Sequence, residues 1–141
     1  MNIDEYRDMW AEDAAIDTEN VHVESLKVPK LHSKYLIYLS KERVKYKTLM
    51  EKRNKLASDL EEYFLGRLDG KEIGRPAHQT IDTKTSAQRK IQADADMQKL
   101  NLALIVQEEI MLFLKDIIQS IHNRNFTIKN YIDYKKFLNG A

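Results

Sequence analysis

A long apolar seam constrains the fold of this chain more than any other feature of its sequence. Steps of four and three residues, taken alternately from position 35, meet an apolar side chain at seven of nine positions: Tyr35, Leu39, Glu42, Tyr46, Leu49, Arg53, Leu56, Leu60 and Tyr63. Such spacing is typical of the buried face of a bundle or coiled-coil helix. Helical periodicity extends from about position 20 to 65, so the sequence predicts one long helix there. Pro29 either kinks this helix or marks its true start.

The scarcity of turn-forming residues extends this interpretation to the whole chain. Only 4 glycines and 2 prolines occur among 141 residues, and 32% of the residues are charged. This composition indicates long helices and argues against a sandwich, a barrel or a disordered chain. The length fits one domain, and 43% hydrophobic residues can bury a small core that self-association could complete. We therefore predict an all-α fold, a bundle of long antiparallel helices.

The second half of the chain is predicted to contain a turn, a loop and two further helices. Three of the four glycines lie in 66–74, which predicts a helix C-cap at Gly66 and a turn at Asp69 and Gly70. The polar stretch 75–89 is predicted to be a loop. A second long helix is predicted for 88–123, followed by a break at 123–125 and a short C-terminal helix at 126–138.

Two apolar features bear on packing. The run 110–121 is apolar around most of its circumference, which predicts burial on more than one side and hence contacts between subunits as well as an internal core. Near the N-terminus, a weak amphipathic helix carries Trp10. We interpret Trp10 as a core residue in preference to an anchor for a partner.

Charge is divided into blocks, although the formal net charge is only +1. Residues 1–24 hold eight acids and one base, whereas residues 27–55 hold ten bases and two acids. The acidic block could dock onto a basic surface, either its own or a neighbour's. Many of the bases recur at multiples of seven, which places them on one stripe beside the apolar seam: Lys27, Lys34, Lys41, Lys55, and the pair Lys45 and Lys52.

This lysine stripe could be a solvated face whose aliphatic stems cover the edge of the seam. Its near lack of acids favours a functional surface for an anionic partner instead. Lysine neutralises phosphate without reading sequence, so a nucleic-acid backbone suits it. Tyr38 lies off the seam and is the best candidate for stacking on a base, although most tyrosines here fit the seam.

Several kinds of chemistry are not expected. No cysteine is present, so disulfides, thiol catalysis and Cys-ligated metals are excluded. The four histidines lack ligand spacing, and Asp94 and Asp96 should diverge on a helix. Residues 66–71 only superficially resemble a phosphate-binding loop, because the glycine spacing is too short and Glu72 follows the lysine. We therefore expect no enzyme activity, cofactor or metal, and neither a signal peptide nor a membrane span.

Two segments, 35–73 and 118–141, resemble the UvsY-type recombination mediator proteins of tailed phages. The most specific pieces are the G-R-x-D-G-x-E turn at 66–72 and the R-x-F-x-I-K run at 124–129. The similarity covers nearly the whole chain and is weakest across 74–90.

The resemblance implies a small helical protein that forms a homo-oligomeric ring of six or seven subunits. It implies binding of single-stranded DNA without sequence preference, and help for a RecA-like phage recombinase in displacing the single-stranded-DNA-binding protein. It further implies roles in recombination, recombination-dependent replication and repair, in the cytoplasm of the infected bacterial host. The family's C-terminal region supports oligomerisation, which fits the apolar segment 117–138.

One departure from the family matters for the site. The family carries a DNA-binding Lys and Arg at positions that hold Ser58 and Leu60 here, and neither can pair with phosphate. We therefore assign the nucleic-acid site from charge, to these residues: Lys41, Arg43, Lys45, Lys52, Arg53, Lys55 and Arg67.

The sequence thus predicts one helical recombination-mediator domain over 1–141. It comprises an acidic N-terminal segment (1–24), a basic long helix (27–65), a turn and loop (66–90) and apolar oligomerisation helices (91–141). The rival interpretation is a helical oligomeric scaffold without nucleic-acid binding, whose lysines only solvate a coiled coil.

Overall fold

The computed structural model describes residues 1–78 and 80–140 of the chain. Gln79, in the predicted loop, and Ala141, at the end of the predicted oligomerisation segment, lie outside the described residues. The described residues form four α-helices and one short 3-10 helix: α1 (Ile3–Asp13), α2 (Val21–Phe64), the 3-10 helix (Gly70–Ile73), α3 (Lys84–Ala93) and α4 (Ala95–Leu138). The predicted all-α class is confirmed. Within the described residues, no helix is long and apolar enough to cross a membrane.

The chain divides into two compact units. The terminal unit comprises Met1–Arg43 and Glu109–Ala141, and the central unit comprises Val44–Glu108. Both long helices contribute to both units, so each unit contains a segment of α2 and a segment of α4.

The core of the terminal unit joins α1, α2 and α4. Its buried residues are Tyr6, Val28, Tyr35, Leu39, Ile110, Leu114, Ile117 and Ile121. Trp10 packs edge-on against Tyr35, with ring centroids 5.6 Å apart, which supports the interpretation of Trp10 as a core residue. Glu24, near the start of α2, forms an ion pair with Arg124 of α4, which joins the two long helices within this unit.

The core of the central unit is smaller. Leu60 and Tyr63 of α2 pack with Ile91 of α3 and Met97 of α4. Earlier in α2, Arg53 Nε donates to Oδ1 of Asn101 in α4 at 2.9 Å. Later residues of α2 therefore contact earlier residues of α4, so the two segments are antiparallel in the central unit.

The predicted long helix is confirmed as α2. Pro29 lies inside it and does not mark its start. Proline removes one helical hydrogen bond, and the burial of the adjacent Val28 helps to keep the helix continuous across that loss. The predicted cap at Gly66 is confirmed: its φ is +75°, and Arg67 N donates to the carbonyl of Glu62 at 2.8 Å, as in a Schellman motif.

Three predicted boundaries in the second half are wrong. The predicted loop at 75–89 ends early, because Thr83 Oγ1 caps α3 by accepting from Ser86 N. The predicted helix 88–123 is interrupted at Asp94, which is extended and accepts from Met97 N at the start of α4.

The predicted break at 123–125 and the separate short C-terminal helix are absent, since α4 continues to Leu138. Tertiary packing explains the continuity of α4. Ile121, Arg124 and Ile128 are all buried and share one helical face, so the polar sequence around position 124 is held against the terminal unit.

Asp94 and Asp96 do not diverge as predicted, because Asp94 precedes α4 and is not part of a helix. Arg75 binds both Asp94 oxygens and also donates to Asp96 Oδ2 at 3.0 Å. The hydrogen bonds from Arg75 hold the pKa of the Asp94 carboxyl below its usual range, against the opposing effect of burial.

The Asp94 contact predicts acid sensitivity. A carboxyl whose folded-state pKa is depressed stabilises the fold above about pH 4 and loses that contribution as the pH falls through the folded-state pKa. Asp94→Asn keeps a helix-capping side chain but loses the ion pair, so we expect it to lower the free energy of unfolding at pH 7 by about 1–2 kcal/mol. Urea denaturation at pH 7 and pH 3 should show a smaller acid-induced loss in this variant than in the parent. Asp96→Asn, at an exposed position, is the control; equal acid-induced losses in Asp94→Asn and the parent would contradict the assignment.

Candidate nucleic-acid interface

The seven predicted site residues lie in two places. Lys41 and Arg43 belong to the terminal unit, and the other five belong to the central unit. Six of the seven lie on α2, and Arg67 follows its C-terminal cap. All seven are exposed except Arg53, which is half-buried and bonded to Asn101.

Helical geometry separates these residues by face. Each residue advances about 100° around a helix, so Lys45 and Lys52, seven apart, lie about 20° from alignment. Lys55 lies about 60° further round on the same flank. Arg43 is about 200° from Lys41 and therefore lies on the opposite flank of the helix. Arg53 falls on the seam itself. The structure thus brings Lys45, Lys52 and Lys55 together on one flank, without Arg43 or Arg53.

The cations of α2 differ in whether acids already engage them. Lys27 Nζ donates to Glu24 at 3.1 Å, and Lys34 Nζ donates to Asp13 at 2.6 Å. Within the described residues, no ion pair involves Lys41, Lys52 or Lys55. The N-terminal part of the lysine stripe is therefore largely neutralised, while Lys41, Lys52 and Lys55 remain available to an external anion.

Arg67 and the stacking candidate Tyr38 both have contacts within the chain, but only those of Tyr38 weaken its candidacy. Arg67 forms an exposed ion pair with Glu62 at 3.5 Å, which contributes little and is easily exchanged. The half-buried Tyr38 packs edge-on against Tyr6 at 5.4 Å, and Lys41 Nζ lies 5.9 Å from its ring centroid. These contacts favour a core role for Tyr38 over stacking on a base.

The acidic N-terminal segment docks onto its own unit. The Tyr6 hydroxyl donates to Glu42 Oε1 at 2.8 Å, and its burial with Glu42 raises the pKa of Tyr6. Asp13 accepts from Lys34 and from the Tyr35 hydroxyl. Burial opposes ionisation of Asp13, but these two hydrogen bonds prevail and its pKa is lowered. Two acids of this block, Asp13 and Glu24, thus contact basic residues of their own unit.

The two positions that depart from the family have different surroundings. Ser58 is exposed, whereas Leu60 is fully buried in the core of the central unit. Leu60 is therefore part of the core of this unit and not of its surface.

Sequence reasoning missed two groups of charged residues. Arg124 is 5% exposed and makes four hydrogen bonds inside the terminal unit. The exposed cations of α3, Lys84 and Arg89, were hidden in the predicted loop. The signal that could have revealed them is the absence of any acid from 83 to 93. No cluster of three or more potential metal ligands occurs among residues 1–78 and 80–140.

Comparison with known proteins identifies the class. Residues 9–141 match the family described as "Recombination, repair and ssDNA binding protein UvsY". The chain belongs to this UvsY family, as its resemblance indicated.

Two solved structures share the fold over almost the whole chain. Both are crystal structures of the bacteriophage T4 recombination mediator protein UvsY. In one lattice type, the match has a TM-score of 0.85 at 21% identity and covers 97% of each chain. In another, the TM-score is 0.86 at 20% identity, covering 97% of this chain and 99% of the other. No curated protein matches this chain by sequence.

Proposed function

We propose that this protein is a recombination mediator that binds single-stranded DNA on the cations of α2. It helps a RecA-like recombinase load onto strands covered by single-stranded-DNA-binding protein, in recombination-dependent replication and repair. Membership of the family supports the mediator role. The observation that carries the binding proposal is the exposure of Lys41, Lys52 and Lys55 without any ion pair in the described part of the chain.

The mechanism is electrostatic capture. Lysine ammonium groups along α2 replace the counterions of the phosphate backbone, so binding is independent of sequence and favoured by release of those counterions. A strand held in this way is presented to the recombinase, and the single-stranded-DNA-binding protein binds it less tightly. This mechanism requires no metal, cofactor or covalent step.

A single chain would hold DNA weakly, so we infer a homo-oligomer. The family resemblance implies a ring of six or seven subunits. Apolar side chains exposed on α4 support this inference. In the central unit Leu102, Ile105 and Val106 are each more than half exposed, and in the terminal unit so is Phe126. Exposed apolar surface of this extent commonly marks an interface between proteins. Repetition of the site multiplies affinity through effective concentration. The proposed setting is the cytoplasm of a phage-infected bacterium.

The direct test is a salt titration of DNA binding. Fluorescence anisotropy with a labelled oligodeoxythymidylate should show log affinity falling with log salt, with a slope of about −0.7 for each phosphate contacted. Native mass measurement, with and without the oligonucleotide, should show an oligomer. A monomer would overturn both this proposal and the rival oligomeric scaffold. An oligomer that does not bind the oligonucleotide in dilute buffer would overturn this proposal and support the scaffold.

A further inference from the structure

Helix α3 carries basic residues and no acid. Its sequence, KTSAQRKIQA, contains Lys84, Arg89 and Lys90. The helix is fixed to the central unit by one side only: Ala87 and Ile91 are buried, and Ile91 packs with Leu60 and Tyr63. The opposite side of α3 therefore faces solvent on a firmly positioned helix.

One of the three cations is used internally. Lys90 Nζ donates to both oxygens of Asp82 at 2.9 Å and lies 5.7 Å from the ring centroid of Phe64. By contrast, Lys84 and Arg89 are exposed, and no ion pair within the described chain involves either of them. Two cations of α3 are thus available to an external anion.

The acids that flank α3 are already neutralised. The side chain of Asp82 is 9% exposed and binds Lys90 and His78. The side chain of Asp94 is 8% exposed and binds Arg75. Neither carboxylate points freely into solvent beside α3, so neither repels an approaching polyanion or neutralises Lys84 and Arg89.

Neutral hydrogen-bonding groups lie beside Arg89 on the solvent-facing side of α3. Thr85, Gln88, Arg89 and Gln92 follow the spacing i, i+3, i+4 and i+7, so they share one helical face, and all four are exposed. Arg89 also lines a shallow cleft of about 330 Å³ with Ser86, Lys90 and Ala93. This outer face of α3 presents the Arg89 cation for phosphate and amides that both donate and accept hydrogen bonds. Lys84 lies about 140° round the helix from Arg89, exposed at the N-terminal end of α3.

We propose that the exposed surface of α3 is a second contact surface for single-stranded DNA, in which Arg89 on the outer face and Lys84 at the N-terminal end of the helix bind phosphates and Gln88 and Gln92 bind base edges. An unpaired strand exposes both kinds of group together. An acidic protein surface would attract the cations as well, but its carboxylates only accept hydrogen bonds and leave the amide acceptors unused. The inference rests on the proposed binding of DNA and adds a surface distinct from α2.

The charge of this surface is tested by the double variant Lys84→Gln with Arg89→Gln. Glutamine is a good helix former, so α3 should persist, as far-ultraviolet circular dichroism can verify. We expect the salt slope to flatten by about 1.4 and affinity at low salt to fall by about tenfold. The matched control, Lys71→Gln with Lys99→Gln, removes the same charge from exposed positions of the same unit and should change affinity by less than about threefold.

The amides are tested separately, because their contribution should not depend on salt. Gln88→Ala with Gln92→Ala should weaken binding to a mixed-sequence oligonucleotide by about threefold to tenfold with an unchanged salt slope. On an abasic oligonucleotide of the same length, the variant and the parent should bind equally. A difference on the abasic strand would contradict contact with the bases.

The outcomes separate this inference from the proposed function. If the parent protein does not bind the oligonucleotide, the proposed function fails. If the parent binds but the α3 charge variant behaves like its control, the α2 proposal stands and the α3 inference is wrong. Unchanged DNA binding with weakened binding to the recombinase would place a protein partner on this face and would likewise overturn the inference.

Discussion

Replacing Arg124 by methionine should lower the free energy of unfolding by about 3–5 kcal/mol, because it breaks a buried ion pair from one side. Arg124 donates to Glu24 Oε2 at 3.0 Å and to the carbonyls of Asp13, Ala14 and Ala15 at 3.0–3.3 Å. These carbonyls lie at the C-terminal end of α1, whose last turn holds no basic residue. One side chain therefore fixes α1 and the start of α2 onto α4. Urea denaturation monitored by circular dichroism measures the loss.

The control for Arg124→Met is Lys129→Met, an exposed cation five residues further along the same helix. It should change stability by less than about 0.5 kcal/mol. In a Glu24→Gln background, Arg124→Met should lower the free energy of unfolding by less than it does in the parent. The reason is that this background has no buried carboxylate at position 24 for the substitution to leave unpaired. Additive losses for the two substitutions would show that the ion pair does not couple α2 to α4.

The largest effect on function should come from removing four cations of α2 together. The variant with Lys41, Lys45, Lys52 and Lys55 all changed to alanine should lose about a hundredfold or more in affinity for an oligodeoxythymidylate at low salt. If each lysine neutralises one phosphate, the salt slope should flatten by about 2.8. Alanine favours helix, and all four positions are exposed, so the fold should tolerate the change.

A second quadruple variant controls for total charge. Alanine at Lys71, Lys99, Lys129 and Lys136 removes the same charge from exposed positions outside α2. Its salt slope should stay close to that of the parent, since the charge removed lies away from the bound strand. Should the α2 variant bind as tightly as its parent, the assignment of the site to these lysines is wrong, whatever the protein does elsewhere.

The sequence predicted correctly those features that depend only on residues close together in the chain. The seam from Tyr35 to Tyr63 predicted α2 because the spacing of apolar residues fixes which face can be buried. The positive φ at Gly66 was predictable because glycine adopts that conformation at little cost. Glu42 occupies a seam position and is buried there, although its contact with Tyr6 was not predictable from the sequence.

The errors arose where distant residues decide local structure. The polar segment at 123–125 reads as a break, yet α4 continues because Arg124 meets Glu24, one hundred residues away. The segment 84–93 reads as a loop because its apolar positions are few. Ala87 and Ile91 are enough to hold it as a helix once Leu60 and Tyr63 provide a surface.

The candidate site shows the same division. Composition and periodicity determined that this chain would be helical and that one face of α2 would be basic, because both depend on spacing along one segment. Only the tertiary structure decided which cations are available: Asp13 engages Lys34 and Asp82 engages Lys90, while Lys52, Lys55 and Arg89 keep no internal ion partner in the part of the chain described. The reason is that an ion pair needs its two charged groups within about 4 Å of each other. The number of residues between two groups in different helices does not reveal whether folding brings them that close.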